Sequence, residues 1–184
     1  GNKIIAENVF SVISPIYFGK TYSVIHNNLY SENNEPETGV VYAVGADLSG
    51  RNFDNLNLQN AVFDKADLSN TSFKNANIDG ARFVFADLDN SNLLDRTNLS
   101  DVNLVGIDLS NTSLKGKDLS GANLSYVDLS EHDLAGTNLS DSILWRTNLS
   151  GIDLSSTTLT NVVSRYANLS ESNLPDSLVN NNFD

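Results

Sequence analysis

The side chains that most often carry out catalysis or bind metals are scarce and scattered in this sequence. There are two histidines, His26 and His132, far apart along the chain, and there is no cysteine. The absence of cysteine excludes disulfides and thiolate metal sites, and the histidines show no metal-ligand spacing. No nucleophile has a recognisable base, and the glycines form no phosphate-binding loop. We therefore predict a protein that is not an enzyme and has no metal or cofactor.

Carboxylates are abundant and set the charge of the molecule. The chain has 184 residues, with 23 Asp and Glu against 11 Lys and Arg, which gives a net charge of -12. Such a surface repels nucleic acids and anionic membranes, so we expect neither as a direct partner. No apolar run is long enough to span a bilayer. Because the chain begins at Gly1 and lacks methionine, we interpret it as a soluble domain, processed or excised from a longer protein of unknown compartment.

A large apolar residue recurs at every fifth position, and this period defines the elements that carry the other side chains. The count runs from Leu48 to Leu93 and, after one extra residue, from Leu99 to Leu174; 25 of these 26 positions are Leu, Phe or Ile. A period of five fits neither the period of about 3.6 of a helix nor the period of about 2 of a strand. The sequence therefore predicts a solenoid, in which each unit buries its apolar residue only by stacking on its neighbours.

The residues around each central apolar residue are also regular. A small or β-branched residue usually stands two positions earlier, Asp or Asn stands between, and Ser, Asn or Gly follows, as in 46–49 and 66–69. In this pattern the chain resembles the pentapeptide-repeat family, whose motif is A-(D/N)-L-x-x, over about 70% of its length. The resemblance implies an all-β fold, a right-handed quadrilateral β-helix with four units per coil and about 6.5 coils here. It also implies that the central residue and the residue two before it point inward.

The chain is predicted to have three parts. Residues 1–45 form a short N-terminal β appendage and a polar linker, residues 46–176 the repeat β-helix, and residues 177–184 a short C-terminal tail. Within the appendage, apolar and aromatic residues on both sides of Gly19-Lys20 predict two strands around a turn. The polar, turn-rich segment from Ser31 to Gly39 is predicted to be the linker.

Several residues depart from the repeat. Arg51, Lys117 and His132 stand at inward positions, and we expect either that their side chains turn outward or that the coil corner is locally splayed. Ser164 replaces a central leucine, and the extra residue around Leu94–Arg96 predicts a β-bulge at one corner. The threonines at inward positions are expected to point inward: Thr71, Thr97 and Thr137.

When every fourth unit is assigned to the same side of a coil, one side shows a column of acidic residues. Its members directly precede central leucines: Asp47, Asp67, Asp87, Asp108 and Asp128. One interpretation is that Asp suits the corner through hydrogen bonds from side chain to backbone. The other is an acidic stripe for a basic partner or a cation. We favour the first, because the motif alone explains the residues and a calcium site needs oxygens that converge from a loop.

A second side carries aromatic and basic residues that the motif does not require. The candidate partner-binding residues are Arg82, Val84, Phe85, Tyr126, Trp145, Arg146, Arg165 and Tyr166. Exposed aromatic and arginine side chains are typical of binding hot spots, and an apolar patch on a protein surface needs an explanation. Two explanations remain open: the patch binds a partner protein, or residues 1–30 cover it within the same molecule.

These observations lead to three functional hypotheses. We favour a non-enzymatic, monomeric scaffold that binds another protein through its aromatic and basic side. The resemblance implies a second hypothesis, because some pentapeptide-repeat proteins mimic DNA and act on DNA gyrase, and the acidic stripe is similar in kind. Those proteins dimerise through a C-terminal helix, for which the tail Pro175–Asp184 is too short and polar. The third hypothesis is a structural spacer domain of a longer chain.

Overall fold

The structure is a computed structural model that describes residues 22–25, 28–31 and 41–176. The chain divides into two units. The first comprises Gly1–Arg82 with Ala86–Leu93, and the second comprises Phe83–Phe85 with Leu94–Asp184. Among the described residues, no helix has both the length and the hydropathy that crossing a membrane requires.

A short antiparallel hairpin precedes the repeats. Strand β1, Tyr22–Ile25, pairs with strand β2, Asn28–Ser31, in the register Tyr22 with Ser31 and Ile25 with Asn28. Strand β1 lies in the apolar segment that follows Gly19-Lys20, whereas the turn predicted at Gly19-Lys20 itself is outside the described residues. Strand β2 is not predicted from its sequence, because only Tyr30 among its four residues is of a type enriched in strands.

In each unit, parallel backbone pairing joins residues that are twenty positions apart. In the first unit Asp47 pairs with Asp67, and Asp67 with Asp87. In the second unit Asn148 lies between two such partners, Asp128 and Asn168. Twenty residues contain four five-residue units, so every fourth unit stacks on the one before, as the family resemblance implies. The backbone groups of one coil thereby satisfy those of the next, which is the pairing that a β-helix uses.

The central apolar residues form the core of both units. In the first unit the rings of Phe53 and Phe73 stack with centroids 4.9 Å apart, and Phe63 meets both rings edge-on. The central residues from Leu48 to Leu159 are buried, and each fully buried side chain of this size contributes on the order of 1.5–3 kcal/mol. Burial decreases at the last described unit, where Leu174 is 36% exposed.

The Asp or Asn before each central residue acts in the turn that follows. Asp47 Oδ1 accepts hydrogen bonds from the backbone N of Ser49 at 3.1 Å and from its Oγ at 2.7 Å. Asp128 and Ser130 form the same pair of bonds in the second unit, at 3.0 and 2.7 Å. Side chains of this type stabilise turns by replacing a backbone acceptor. The Asp or Asn and the Ser of the recurrent Asp-Leu-Ser and Asn-Leu-Ser sequences therefore stabilise the turns.

The extra residue in the repeat is accommodated in one turn of 3-10 helix, Asn92–Asp95. The predicted β-bulge around Leu94–Arg96 is therefore wrong. The backbone N–H of Phe63 donates to the carbonyl of Arg82, 19 residues later, whereas that of Phe83 donates to the carbonyl of Asn103, 20 residues later. The difference of one residue is the residue inserted at the turn. A 3-10 turn closes its own hydrogen bonds, whereas a bulge needs a paired strand on each side, and the coil corners offer only isolated pairs.

Two of the predicted side-chain directions are also wrong. Lys117 is buried rather than turned outward, and its Nζ donates to the backbone carbonyl of Arg96 at 2.9 Å. Burial lowers the pKa of Lys117, and the nearby Asp95 carboxylate opposes that shift. Thr97, one coil before Lys117, is exposed rather than inward, because the 3-10 turn that ends two residues earlier displaces it from the repeat. Arg51 and His132 are half-buried. Thr71 and Thr137 are buried, as predicted.

Candidate partner-binding surface

One column of residues in the second unit repeats an unusual backbone conformation. Phe85, Gly106, Tyr126, Arg146 and Tyr166 occupy the same turn position of successive coils, with φ angles of 53°, 66°, 62°, 56° and 60°. The backbone N–H of each of the first four donates to the carbonyl just before the next member, at 2.8 to 3.2 Å. The coil-to-coil ladder therefore fixes the position of every side chain in the column.

A positive φ angle is costly for a bulky residue. Elsewhere in the described chain this turn position is mostly Asn, Asp or Gly, and Phe85, Tyr126 and Tyr166 are the only aromatic residues with positive φ there. The left-handed conformation costs on the order of 1–2 kcal/mol for such residues. These three side chains are 53%, 46% and 59% exposed, so burial does not offset that cost. Stability alone therefore does not account for the aromatic residues.

The rings of this column contact their neighbours along the coils. The Phe85 ring lies across Gly106 and occupies the space that a side chain at position 106 would need. The Tyr126 ring meets Trp145 edge-on, with centroids 4.7 Å apart and an interplanar angle of 88°. Such edge-to-face pairs add about 0.5–1.5 kcal/mol beyond burial, which holds both rings in defined positions.

Two arginines continue the cluster. The guanidinium carbon of Arg146 is 5.0 Å from the Trp145 ring centroid and 5.9 Å from the Tyr166 centroid. The guanidinium carbon of Arg165 lies 5.0 Å from the same Tyr166 ring. Cation–π contacts at exposed sites contribute roughly 0.5–1 kcal/mol, so the rings orient both cations.

We call this cluster the aromatic surface: Phe85, Tyr126, Trp145, Arg146, Arg165 and Tyr166. Two further apolar side chains, Ile143 and Val163, flank it; a parallel bridge pairs them, and they are 39% and 43% exposed. They stand two residues before Trp145 and Arg165, so alternation along the chain points them to the same side. The aromatic surface therefore combines exposed rings, aliphatic side chains and two positive charges.

The remaining two candidate residues are Val84 and Arg82. Val84 belongs to the second unit and is half-buried next to Phe85. Arg82 belongs to the first unit, where its guanidinium forms an ion pair with Asp64 at 2.6 Å. We therefore leave Arg82 out of the aromatic surface. Gly106 was missed in the sequence, although the recurrence of Asn and Gly at this turn position signals the left-handed conformation.

Comparison with known families assigns the repeats. The family model described as pentapeptide repeats matches the chain in eight copies, within residues 44–78, 57–93, 94–130, 103–141, 118–155 and 137–176. These stretches cover well over half of the sequence. The protein belongs to the pentapeptide-repeat family. Its twenty-residue coils are those of the β-helix that pentapeptide repeats form, and the predicted family resemblance is confirmed.

Solved structures of other pentapeptide-repeat proteins are similar to this chain. One from the Arabidopsis thaliana thylakoid lumen is 29% identical, with 64% of this chain and 70% of that chain covered and a TM-score of 0.32. HetL, involved in heterocyst differentiation regulation in the cyanobacterium Nostoc sp. strain PCC 7120, is 19% identical, with 77% and 88% covered and a TM-score of 0.32. Full-length QnrB1, a plasmid-mediated fluoroquinolone resistance protein, is 21% identical, with 78% and 79% covered and a TM-score of 0.37. No protein of curated function has significant similarity to the sequence.

The acidic residues of the pentapeptide repeats serve the turns. In the first unit Asp67 Oδ1 accepts from the backbone N of Ser69 at 2.9 Å, between its stacked neighbours Asp47 and Asp87. In the second unit Asp108 accepts from the backbone N of Ser110 at 2.9 Å. Hydrogen bonds from the following serines lower the pKa values of Asp47, Asp108 and Asp128, because they stabilise the charged form.

Grouped metal ligands are not found in the part of the chain that the structure describes. Asp47, Asp108 and Asp128 each accept a hydrogen bond in their own turn and do not converge on one point. The aromatic surface, by contrast, is built from residues that the motif does not require.

Proposed function

We propose that this pentapeptide-repeat protein is a non-enzymatic interaction module that binds a partner protein through its aromatic surface. The observation that carries this proposal is the placement of exposed Phe85, Tyr126 and Tyr166 at left-handed backbone positions. Bulky residues in left-handed backbone conformations are typical of functional sites, where the side chain serves something other than the fold.

The composition of the surface supports binding to a protein. Tryptophan, tyrosine and arginine are the residues most enriched at binding hot spots. Here Trp145 and Tyr126 fix each other edge-on, and the rings orient the arginines. Few side chains would lose freedom on binding, because their positions are already set in the free molecule.

Replacement of the exposed rings tests the proposal. We expect Tyr126→Asn with Tyr166→Asn to abolish capture of the native partner while the circular dichroism spectrum stays unchanged, because Asn suits the left-handed position. The partner is identified by mass spectrometry as a protein that the wild type retains from host extract, and the complex is then measured with purified components by calorimetry.

The second unit itself offers a control. Leu174 is 36% exposed and follows Asn173, which pairs with Asp153 in a different column from Ile143 and Val163, so Leu174→Asn removes exposed apolar area on another side of the coils. This control variant should bind the partner as the wild type does. Equal binding by all three proteins would overturn the proposal.

The DNA-mimic hypothesis is the second candidate, and the acidic columns are what support it. Asp47, Asp67 and Asp87 stack in the first unit, and at the usual strand spacing of roughly 4.8 Å they repel one another. This function predicts inhibition or protection of DNA gyrase in a supercoiling assay. We favour the aromatic surface because these carboxylates are already used in turns, whereas the exposed rings have no comparable role in the fold.

Finer features of the fold are also proposals. We propose that the coils of each unit are four-sided and right-handed, with one five-residue unit per side, because the pairing period is twenty residues. The total of about 6.5 coils and the boundaries after residues 45 and 176 stay predictions. A spacer function within a longer chain is the outcome that remains if no partner depends on the aromatic surface.

A further inference from the structure

The two arginines of the aromatic surface are positioned for an anion from outside the molecule. Both guanidinium groups lie over rings, and among the described residues neither takes part in an ion pair. Other described cations, such as Lys65 and Lys74, also take part in no ion pair with described residues. What distinguishes Arg146 and Arg165 is that both approach one ring. Two guanidinium groups oriented side by side favour an anionic ligand.

Contact with a ring orients a guanidinium without using its hydrogen-bond donors. The N–H groups at the edge of the plane stay available, and their fixed fork matches a carboxylate in a bidentate arrangement. Arg146 and Arg165 both approach the ring of Tyr166, at 5.9 and 5.0 Å from its centroid. One short ligand can therefore reach both guanidinium groups.

The surface around the arginines is apolar, so the ligand needs apolar groups as well as charge. Ile143 and Val163 are stacked on adjacent coils and exposed, and Tyr126 presents nearly half of its side chain to solvent. These groups gain free energy only when apolar atoms cover them. The fitting ligand carries two negative charges close to an apolar side chain.

The overall charge favours a peptide over a nucleic acid. A nucleic acid carries a phosphate on every nucleotide, and a strand longer than the aromatic surface would meet the field of a molecule with net charge -12. An acidic peptide needs only two charges, and both can be placed on the arginines. Repulsion by more distant carboxylates is screened beyond about 8 Å at physiological ionic strength.

We propose that the aromatic surface binds an acidic segment of a partner protein. Two carboxylates of the segment pair with Arg146 and Arg165, and an apolar side chain between them covers Tyr126, Ile143 and Val163. This inference rests on the proposed function, because it names the chemistry of the partner that the aromatic surface binds.

Selection from a random peptide display library on the full chain tests the inference without a known partner. We expect the enriched peptides to carry at least two carboxylates next to an apolar residue. Their binding, measured by fluorescence anisotropy, should weaken by about tenfold or more in the Arg146→Gln, Arg165→Gln variant. The Arg146→Lys, Arg165→Lys variant should recover only part of the affinity, because lysine keeps the charge but not the planar fork.

Lys115→Gln is the matched control, since Lys115 is an exposed cation of the same unit that pairs with Asp133 away from the aromatic surface. It should leave peptide binding unchanged. The inference is overturned if the enriched peptides lack acidic residues, if none is enriched over the double Gln variant, or if that variant binds as tightly as the wild type. Tighter binding of a mixed single-stranded oligonucleotide than of the peptides, lost in the same variant, would also overturn it.

The two proposals fail in different ways. If Tyr126→Asn with Tyr166→Asn abolishes capture of the native partner but the Arg146→Gln, Arg165→Gln variant does not, the interaction surface stands and the acidic segment is wrong. If neither variant affects capture, both proposals are wrong.

Discussion

Tyr126 occupies a backbone conformation that favours glycine or asparagine, and its side chain is nearly half exposed. We predict that Tyr126→Asn changes the free energy of unfolding by less than about 1 kcal/mol. Relief of the left-handed conformation offsets the lost contact with Trp145, since the two terms are of similar size. Urea denaturation measures the change.

The reverse substitution in the first unit is the control for this prediction. Asn90 has the same positive φ, and Asn90→Tyr should lower the free energy of unfolding by about 1 kcal/mol. A loss of about 3 kcal/mol or more in Tyr126→Asn, as in a core residue, would mean that Tyr126 serves the fold, and the binding interpretation would lose its main support.

Two buried hydroxyl groups of the second unit differ in one respect. Ser142 Oγ has no hydrogen-bond partner among the described residues, whereas Thr147 Oγ1 donates to the carbonyl of Leu124 at 2.9 Å. We predict that Ser142→Ala raises the free energy of unfolding by about 1 kcal/mol, because it removes an unsatisfied polar group. Thr147→Val should lower it by a similar amount, because it breaks a satisfied bond. Thermal unfolding of the two variants side by side checks the opposite signs; equal signs would contradict the prediction.

At the scale of the elements, the 3-10 turn and Lys117 depend on each other. The turn Asn92–Asp95 shifts the register by one residue, and the Lys117 ammonium group reaches inward to the Arg96 carbonyl just after the turn. Elsewhere in the second unit an inward threonine donates a hydrogen bond to a backbone carbonyl of the adjacent coil, as Thr137 does to Leu114. The longer lysine serves the same purpose where the turn has displaced the backbone.

This arrangement predicts a pH dependence. Burial lowers the pKa of Lys117 below its ordinary 10.5, so the unfolded chain binds more protons than the folded chain between the two values. The contribution of Lys117 to stability therefore increases as pH rises through the folded pKa toward 10.5. We predict that Lys117→Met removes this increase, measured by urea denaturation at several pH values from neutral upward. An unchanged pH profile in Lys117→Met would show that the increase comes from other groups.

The elements and the candidate surface were predictable to different degrees. The inward leucines and phenylalanines follow from the period, because burial of a central residue needs only its size and its place in the count. The direction of Lys117 does not follow, because it depends on a carbonyl that only the 3-10 turn brings near. The aromatic residues of the surface are readable in the sequence, but their contacts are not: the Phe85 ring can lie flat only because position 106 is glycine.

For the whole molecule, net charge and the pairing of charges determine the response to salt. The net charge is -12, and the ion pairs between described residues include Arg82 with Asp64 and Lys115 with Asp133. Repulsion between carboxylates therefore outweighs attraction, and salt screens it. We predict that the melting temperature rises as ionic strength increases from low to physiological values.

The variant Asp67→Asn should reduce this dependence on salt. Asp67 stands between Asp47 and Asp87 in the first unit, and Asn keeps the side-chain oxygen that accepts from Ser69. The substitution therefore removes repulsion without removing the turn hydrogen bond. A melting temperature that falls with added salt would show that attractive pairs dominate.

The twenty-residue pairing has a mechanical consequence. Backbone hydrogen bonds join each coil of the second unit to the coil before it. The last described coil buries its central residues least, since Leu174 is 36% exposed. A force applied to the C-terminal end would peel that coil first and leave the coils behind it intact, since each contacts only its neighbours. Each event would release twenty residues, about 65 Å of extended chain. Under tension the second unit would therefore lengthen in regular steps of one coil each.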